Sequence, residues 1–391
     1  MFAINYENCT GCGACVQRCP KQCISWTTKE FNFRYPQVDE AACINCGLCE
    51  KACPINKELK APTAQKAYAA VHKDSSVLKK STSGGAFTAL ADTIFSQGGV
   101  VYGAAMLNDM QVKHIRTENR TAFAELRSSK YLQSDTGTTY QMVEQDLKQG
   151  KVVLYSGTPC QIDGLKCFLR KEYENLYTAD IVCHGVGSQA YFDKYMDFAK
   201  ERYGKIKALR FRAKEYAGWS CGGVVVVVGT SNSEKKIPYR DFDNYYYSYF
   251  LSGDIYRKCC YSCKYANTKR VGDFSLGDYW GVEALKLPLQ TENGCSLLLV
   301  NNDRAEKLLE TVVDLDKVET TIEQAAHCNK QLNEPSRLPE SRQKRIEEYV
   351  SMSGRQIQKV YLRTHRRTVA KGKLKALMPY KLKLLIRSKR K

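Results

Sequence analysis

From about residue 66 onward, short apolar runs alternate with segments whose apolar positions recur at helical spacing. Residues 67–72 read as a strand. The segment 85–97 then sets Phe87, Leu90, Ala91, Ile94 and Phe95 on one helical face, and Gly98-Gly99 ends it. The alternation continues with a strand over 100–106 and a helix over 136–149 closed by Gly150. A strand over 151–155, a helix over 159–173, a strand over 177–183 and a helix over 188–203 follow. Such alternation predicts an α/β body. The runs 224–228 and 297–300 read as buried strands, and the first, with its neighbours, points to a more antiparallel later part. The expected class is therefore mixed α/β and α+β. No apolar run approaches the roughly 18 residues of a membrane span.

The first 60 residues follow another pattern. Cys9-x-x-Cys12-x-x-Cys15-x-x-x-Cys19-Pro20 recurs as Cys43-x-x-Cys46-x-x-Cys49-x-x-x-Cys53-Pro54. This is the bacterial-ferredoxin run for a 4Fe-4S cluster, in which the fourth cysteine of each run serves the other cluster. The expected ligand sets are Cys9, Cys12, Cys15 and Cys53 for one cluster, and Cys43, Cys46, Cys49 and Cys19 for the other. Structural zinc would use two cysteine pairs and leave the third Cys and the Cys-Pro of each run without a purpose. A disulfide framework finds no support, because nothing in the chain suggests export.

Length and composition then bound the rest. The 391 residues, 18 of them cysteine, allow two or three domains. The expected division is a two-cluster ferredoxin-type domain at 1–60, a larger body at 61–350 and a basic, amphipathic, helical tail at 351–391, with Lys60-Ala61-Pro62-Thr63 as linker. Met1 leads almost directly into the first cysteine run, leaving no room for a signal peptide, so a cytoplasmic location is expected. The net charge of +19 is unevenly placed. No acid follows Glu348, and 14 lysines and arginines lie between Arg355 and Lys391, leaving +5 for everything before them. Leu374, Leu377, Leu382, Leu384 and Leu385 are interleaved with these charges, and Pro379 breaks the run. About 1 kcal/mol per engaged residue at an anionic leaflet gives five of them about 5 kcal/mol. That corresponds to a dissociation constant of roughly 0.1–1 mM, a weak peripheral preference for the inner membrane face and no firm anchor. Only Tyr361 and Tyr380 are available for stacking, which speaks against nucleic acid.

Three segments of the body carry chemistry. Ser81-Thr82-Ser83-Gly84-Gly85 precedes a helix, where hydroxyls and backbone N–H groups can receive a phosphate; the plain alternative is a serine cap. Ser156-Gly157-Thr158-Pro159-Cys160-Gln161 turns a strand into a helix, with Pro159 at its start and Cys160 where the dipole favours a thiolate. Cys183 ends the next strand, so a parallel sheet brings it towards Cys160. With Cys260-x-x-Cys263 they would make a four-thiolate site. The third segment, Arg270 to Gly281, is dense in glycine, acids and aromatics, and on composition alone could be a hairpin. Gly185-x-Gly187-x-x-Ala190 imitates a dinucleotide fingerprint but lacks an acid at a second strand end.

In order, these motifs together with Ser129-Lys130-Tyr131-Leu132-Gln133-Ser134 and Cys183-His184-Gly185 resemble the coenzyme F420 hydrogenase/dehydrogenase beta subunits, from the ferredoxin-type domain to roughly residue 340. The resemblance implies an FAD-dependent iron-sulfur oxidoreductase with a third 4Fe-4S cluster held by Cys160, Cys183, Cys260 and Cys263, with Cys259 competing for the place of Cys260. It implies that Ser83, Gly84 and Gly85 face the FAD phosphates. Lys130 and Gln133 would sit at the flavin ring as catalytic residues, the lysine stabilising the reduced anion. Ser129, Tyr131, Thr158, Asp278 and Trp280 complete the implied cofactor contacts. Implied partners are a redox protein or ferredoxin and an organic hydride carrier, F420 or another. Similar layouts also occur in bacteria not known to make F420, some near surface-polysaccharide genes, so a ferredoxin-like adaptor for a partner enzyme is the alternative. Cys23, Cys167, Cys221, Cys295 and Cys328 are expected to be ordinary buried thiols.

Overall fold

The computed structural model describes residues 5–59, 61–220, 222–229 and 233–377. Lys60 of the expected linker, Cys221, and Leu382, Leu384, Leu385, Pro379 and Tyr380 of the expected tail lie outside them. At the N-terminus, each cysteine loop turns into a short helix through a glycine with left-handed backbone. Gly13 (φ 82°) precedes Ala14–Arg18, and Gly47 (φ 68°) precedes Leu48–Lys51. An antiparallel hairpin joins the loops, β1 (Ile24–Lys29) with β2 (Phe33–Val38), in register Ile24 to Val38. The inward side chains Phe31, Phe33 and Tyr35 enter a large aromatic core of the body.

The body is built on one mixed sheet. Its strands are β3 (Lys66–His72), β4 (Val100–Met106), β5 (Val112–Thr117), β6 (Val153–Gly157), β7 (Leu176–Ile181), β11 (Phe274–Asp278), β12 (Ser296–Val300) and β13 (Leu315–Thr320). β8, β9 and β10 form a second sheet, Ile206–Arg210, Gly222–Val228 and Glu234–Arg240. The large sheet runs β13-β3-β12-β11-β7-β6-β4-β5. β4, β6, β7 and β11 are parallel, β12 is antiparallel to β11 and to β3, and β5 and β13 close the edges antiparallel. Alternate residues feed opposite faces, as pleating requires. Val101 and Leu154 meet Leu90 and Ile94 of the helix Ala86–Ser96. Val100, Val153 and Tyr155 meet Tyr140 and Val143 of Thr139–Lys148 and Ile162 and Leu165 of Pro159–Leu169.

The second sheet is antiparallel throughout, in the order β10-β9-β8. Val225 and Val227 press on the aromatic core, which gathers Tyr245, Tyr246, Tyr247 and Tyr249 with Tyr191, Phe192 and Phe211. The expected helical tail is helical as far as it is described, in Gly354–Thr364 and Arg366–Leu377, and Ile357, Tyr361 and Val369 are buried in the same aromatic core. Among the described residues, no helix is long and apolar enough to cross a membrane.

Candidate iron-sulfur and flavin sites

Cys9, Cys12, Cys15 and Cys53 line one hollow, with Trp26 and Pro36 on its wall. Three come from a single loop; the fourth arrives from the second run because the two short helices cross beside each other. Burial raises the thiol pKa of Cys12 well above its ordinary value, and the neighbouring thiols Cys15 and Cys9 add to it. Burial likewise raises Cys15, with Cys9 and Cys53 adding, and raises Cys53. Four thiols crowd together here, each disfavouring the charge of the next. Iron held here would supply the countercharge that lets these thiols ionise together, with release of their protons.

Cys19, Cys43, Cys46 and Cys49 line a second hollow, where Cys46 is exposed and Ile44 is 57 % exposed. Burial opposes the Cys19 thiolate. Even so, the N–H groups of Cys23, Lys21 and Gln22 and the Cys23 side chain hold Cys19 below the ordinary thiol value. Cys23 is thus part of this site's wall: its Sγ lies 3.4 Å from that of Cys19, and its thiol is pushed up to about 11, chiefly by that contact. Its four-residue offset from Cys19 was the only signal of this in the chain.

A third hollow of about 260 Å³ opens at the carboxyl edge of the parallel strands and is lined by Cys160, Cys183, Cys259, Cys260 and Cys263. Thr158 and Gln161 form a capping box at the start of Pro159–Leu169, and Thr158 Oγ1 lies 3.1 Å from Cys160 Sγ. Burial pushes Cys160 up to about 12, the Thr158 hydroxyl opposes, and Cys263 and Cys259 add. Cys183 is raised by burial and then by Cys160 and Cys263. The thiol that acts on both Cys160 and Cys263 is Cys259, whereas Cys260 is paired with Cys259 and packs towards the aromatic core. Thr10 and Ile55 line this hollow and the first alike. A Cβ at Gly164, on the helix that carries Cys160, would come 2.9 Å from Cys12 Sγ.

Next to this edge are the residues expected to meet a flavin. Asp278, at the end of β11, accepts from Arg212 Nη1 (3.0 Å) and Trp219 Nε1 (2.8 Å). Trp280 stacks on Trp219 at 5.2 Å, and Tyr131 stacks on Phe250 at 4.7 Å and contacts Arg212 through its hydroxyl. Lys214 Nζ donates to the Ser83 and Leu78 carbonyls, and burial pushes it down to about 8. Arg212, Lys214 and Trp219 carried no signal in the sequence, since they flank or begin the short helix Lys214–Ala217 after β8, and Arg212 and Trp219 meet Asp278, and Lys214 the Ser83 carbonyl, only through the fold.

Other expected contacts are engaged with the protein itself. Ser83 Oγ donates to the Cys295 carbonyl at 2.6 Å, and the N–H of Gly84 donates to Ser296 Oγ at 2.9 Å. A Cβ at Gly84 would lie 2.1 Å from the Ala70 carbonyl oxygen, so close packing against β3 demands glycine there. Gly85, at φ 91°, precedes the helix Ala86–Ser96. The N–H of Ser129 donates to Thr82 Oγ1 at 3.1 Å. Lys130 Nζ donates to the carbonyls of Glu125, Leu126 and Arg127, and burial pushes its pKa down to about 7. Gln133 lines the third hollow and holds the first cluster loop through Nε2, 2.8 Å from the Thr10 carbonyl. The ring of Tyr256 fills the space at Gly185, where a Cβ would come 2.4 Å from it.

Two cysteine-lined hollows on a ferredoxin-like repeat, fused to a mixed α/β body, define an iron-sulfur electron-transfer protein. Residues 8–57 match the family described as 4Fe-4S dicluster domain, and residues 150–325 match the C-terminal part of the coenzyme F420 hydrogenase/dehydrogenase beta subunit. The chain is thus coenzyme F420 hydrogenase/dehydrogenase beta-subunit-like over residues 150–325 and carries an N-terminal 4Fe-4S dicluster domain. It is similar to an uncharacterized ferredoxin of Methanocaldococcus jannaschii, 42 % identical over 53 residues, 14 % of this chain and 68 % of that protein. An uncharacterized protein from the rpl9-rpl11 intergenic region of Porphyra purpurea is 38 % identical over 50 residues, 12 % of this chain and 67 % of that protein. A chain in a xenon-derivatized structure of the F420-reducing NiFe hydrogenase complex from Methanosarcina barkeri aligns with a TM-score of 0.45 and 14 % identity, covering 75 % of this chain and 94 % of that one.

Proposed function

We propose that this chain is an FAD-dependent iron-sulfur oxidoreductase that passes electrons between a redox partner protein and an organic hydride carrier. The observation that supports this most is the serial arrangement of three thiol-lined hollows. The second is open to solvent at Cys46, and the first shares Thr10 and Ile55 with the third, which opens at the carboxyl edge of the sheet. Clusters in such sites supply one-electron transfer, and a flavin converts it to two-electron hydride chemistry. Cys160, Cys183 and Cys263 would hold the third cluster, with Cys259 or Cys260 as the fourth ligand. Tyr131, Arg212, Asp278 and Trp280 offer a flavin ring stacking surfaces and a cation. Thr158 orients Cys160, and Ser83, Gly84, Gly85 and Ser129 would border the phosphates. Lys130, lowered to about 7 by burial, could hold or release a proton near neutrality, and Gln133 would couple the ring to the first cluster loop. The hydride carrier would be F420 or a compound of similar chemistry.

One observation favours a second reading, a ferredoxin-like adaptor that serves a partner enzyme. The N–H groups of Gly84 and Ala86 both donate to Ser296 Oγ, which leaves the glycine turn fewer donors for a phosphate. Anaerobic reconstitution separates the two. The oxidoreductase should hold about 12 irons per chain, four in each of three clusters, and show flavin absorption. About eight irons without flavin would leave the adaptor.

A further inference from the structure

Arg257 stands two residues before Cys259 and is 1 % exposed. Its backbone is fixed at both ends, the N–H donating to the Val186 carbonyl (3.0 Å) and the carbonyl accepting from Cys260 N–H (2.9 Å). The side chain crosses into the N-terminal domain. Nε donates to the Cys9 carbonyl at 2.7 Å, Nη2 to the Arg34 carbonyl at 2.9 Å and Nη1 to Gln133 Oε1 at 3.1 Å. Nη2 also stands 3.9 Å from Cys9 Sγ, and the guanidinium carbon lies 4.1 Å from the ring centroid of Tyr35. Gly11 opens room for it, since a Cβ there would come 2.9 Å from the guanidinium carbon.

The oxygen acceptors of this fork are all neutral: two backbone carbonyls and an amide. Among the described residues, Arg257 makes no ion pair with a carboxylate. A guanidinium remains protonated in a protein, and a buried charge without a counter-charge is strongly disfavoured. The negative charge within reach is that of thiolates. Cys9 touches Arg257 directly, and Arg257 forms part of the third hollow together with Cys259 and Cys260.

We propose that Arg257 is the shared counter-charge of the first and third cluster sites, holding them together and favouring the reduced state of each. The part that concerns the third site rests on the three-cluster reading above. Adding an electron makes a thiolate-held cluster more negative by one charge, and nothing else is transferred. A cation fixed between two such sites stabilises that added charge through a poorly screening interior. Arg257 acts through the ligands, as a positioning residue, and keeps its proton throughout.

The test uses the full chain, reconstituted anaerobically, as Arg257→Gln and Arg257→Lys. Iron content and EPR-monitored reduction with dithionite are the readouts. In Arg257→Gln, the one-electron equilibrium of the clusters next to Arg257 should move tenfold or more towards the oxidised form, about 59 mV. The outer cluster at Cys19, Cys43, Cys46 and Cys49 should be unmoved, and Arg257→Lys should restore most of the shift. Unchanged potentials in a fully loaded Arg257→Gln chain would overturn the proposal. If Arg257→Gln fails to load, loading in Arg257→Lys supports a requirement for charge, whereas equal failure of both variants rejects it. Wild-type iron near eight per chain would instead remove the third site, leaving the shift at the Cys9 cluster as the measure of Arg257.

Discussion

At the scale of single residues, the structure assigns Arg270 a part that composition had left open. Its guanidinium is buried against Asp180 and donates to Ser275 Oγ (2.9 Å), the Tyr265 carbonyl (3.1 Å) and the Ile181 carbonyl (3.2 Å). Asp180 in turn accepts from Gly272 N–H at 2.8 Å. The Arg270–Gly281 segment therefore carries the strand β11, locked beside β7 by the polar residues that precede it. Arg270→Met should cost about 3–5 kcal/mol, because Asp180 is left charged and unpaired. Anaerobic chemical denaturation would show the loss, and Arg270→Met with Asp180→Leu should recover most of it. His114 gives a pH signature. It stacks on Tyr155 at 5.2 Å, its Nε2 lies 3.0 Å from the Ser156 carbonyl, and burial pushes its pKa down to about 4. The unfolded chain takes up that proton near 6.5, so this contribution is complete above pH 6.5 and is lost as pH falls towards 4. About 2 kcal/mol should disappear between pH 7 and pH 5. His114→Gln should lack that slope when its unfolding is compared with the parent at both pH values, the acid sensitivity of the clusters being common to the two.

At the scale of elements, what was legible followed from period and punctuation. The helix Ala86–Ser96 and the strand Val100–Met106 stand where their apolar spacing and Gly98-Gly99 put them. The helix begun by Pro159 ends at Leu169, short of the expected 173, because Arg170 takes a left-handed conformation (φ 63°) with no glycine to announce it. Glu234–Arg240, mostly polar, pairs with the valines of β9 from the sheet edge, where Pro238 needs no partner for its nitrogen. Tyr245–Leu251 is aromatic on every side, which hides its period; it is buried on nearly all of them. The cysteine sites divide in the same way. Local spacing groups the cysteines that line the two N-terminal hollows, whereas the third hollow joins the ends of β6 and β7 to the distant Cys259–Cys263 segment, which local spacing does not reach. Thr158 is the element-level test. Its capping box starts the helix that bears Cys160, and Thr158→Ala should cost about 1 kcal/mol of stability. If the hydroxyl also orients a cluster ligand, visible absorption per iron should change in the same variant; an unaltered spectrum would reduce Thr158 to a cap.

At the scale of the whole molecule, the ferredoxin-like domain is stitched to the body and does not hang from its linker. Gln17 donates to Thr136 Oγ1 (3.2 Å), accepts from Tyr140 N–H (2.9 Å) and receives Gln141 Nε2 at its carbonyl (2.8 Å). Thr136 Oγ1 also donates to the Cys12 carbonyl at 3.0 Å, Lys264 Nζ to the Pro54 carbonyl at 2.6 Å, and Gln133 and Arg257 hold the Cys9–Gly11 loop. The hairpin adds Phe31, Phe33 and Tyr35 to the body's aromatic core. Composition and the linker-like Lys60-Ala61-Pro62-Thr63 suggest a separable bead, because burial of one domain's residues by another leaves no mark in local sequence. A relay needs the opposite, since electron transfer between sites requires a fixed short path and a swinging domain would supply it only part of the time. A protease site inserted between residues 57 and 64 should therefore yield two fragments that stay together. After anaerobic cleavage, gel filtration should show one peak containing both, with iron content unchanged. Separation of a free iron-bearing N-terminal fragment would mean that the interface is weaker than its buried bonds imply, and that the two parts meet only in passing.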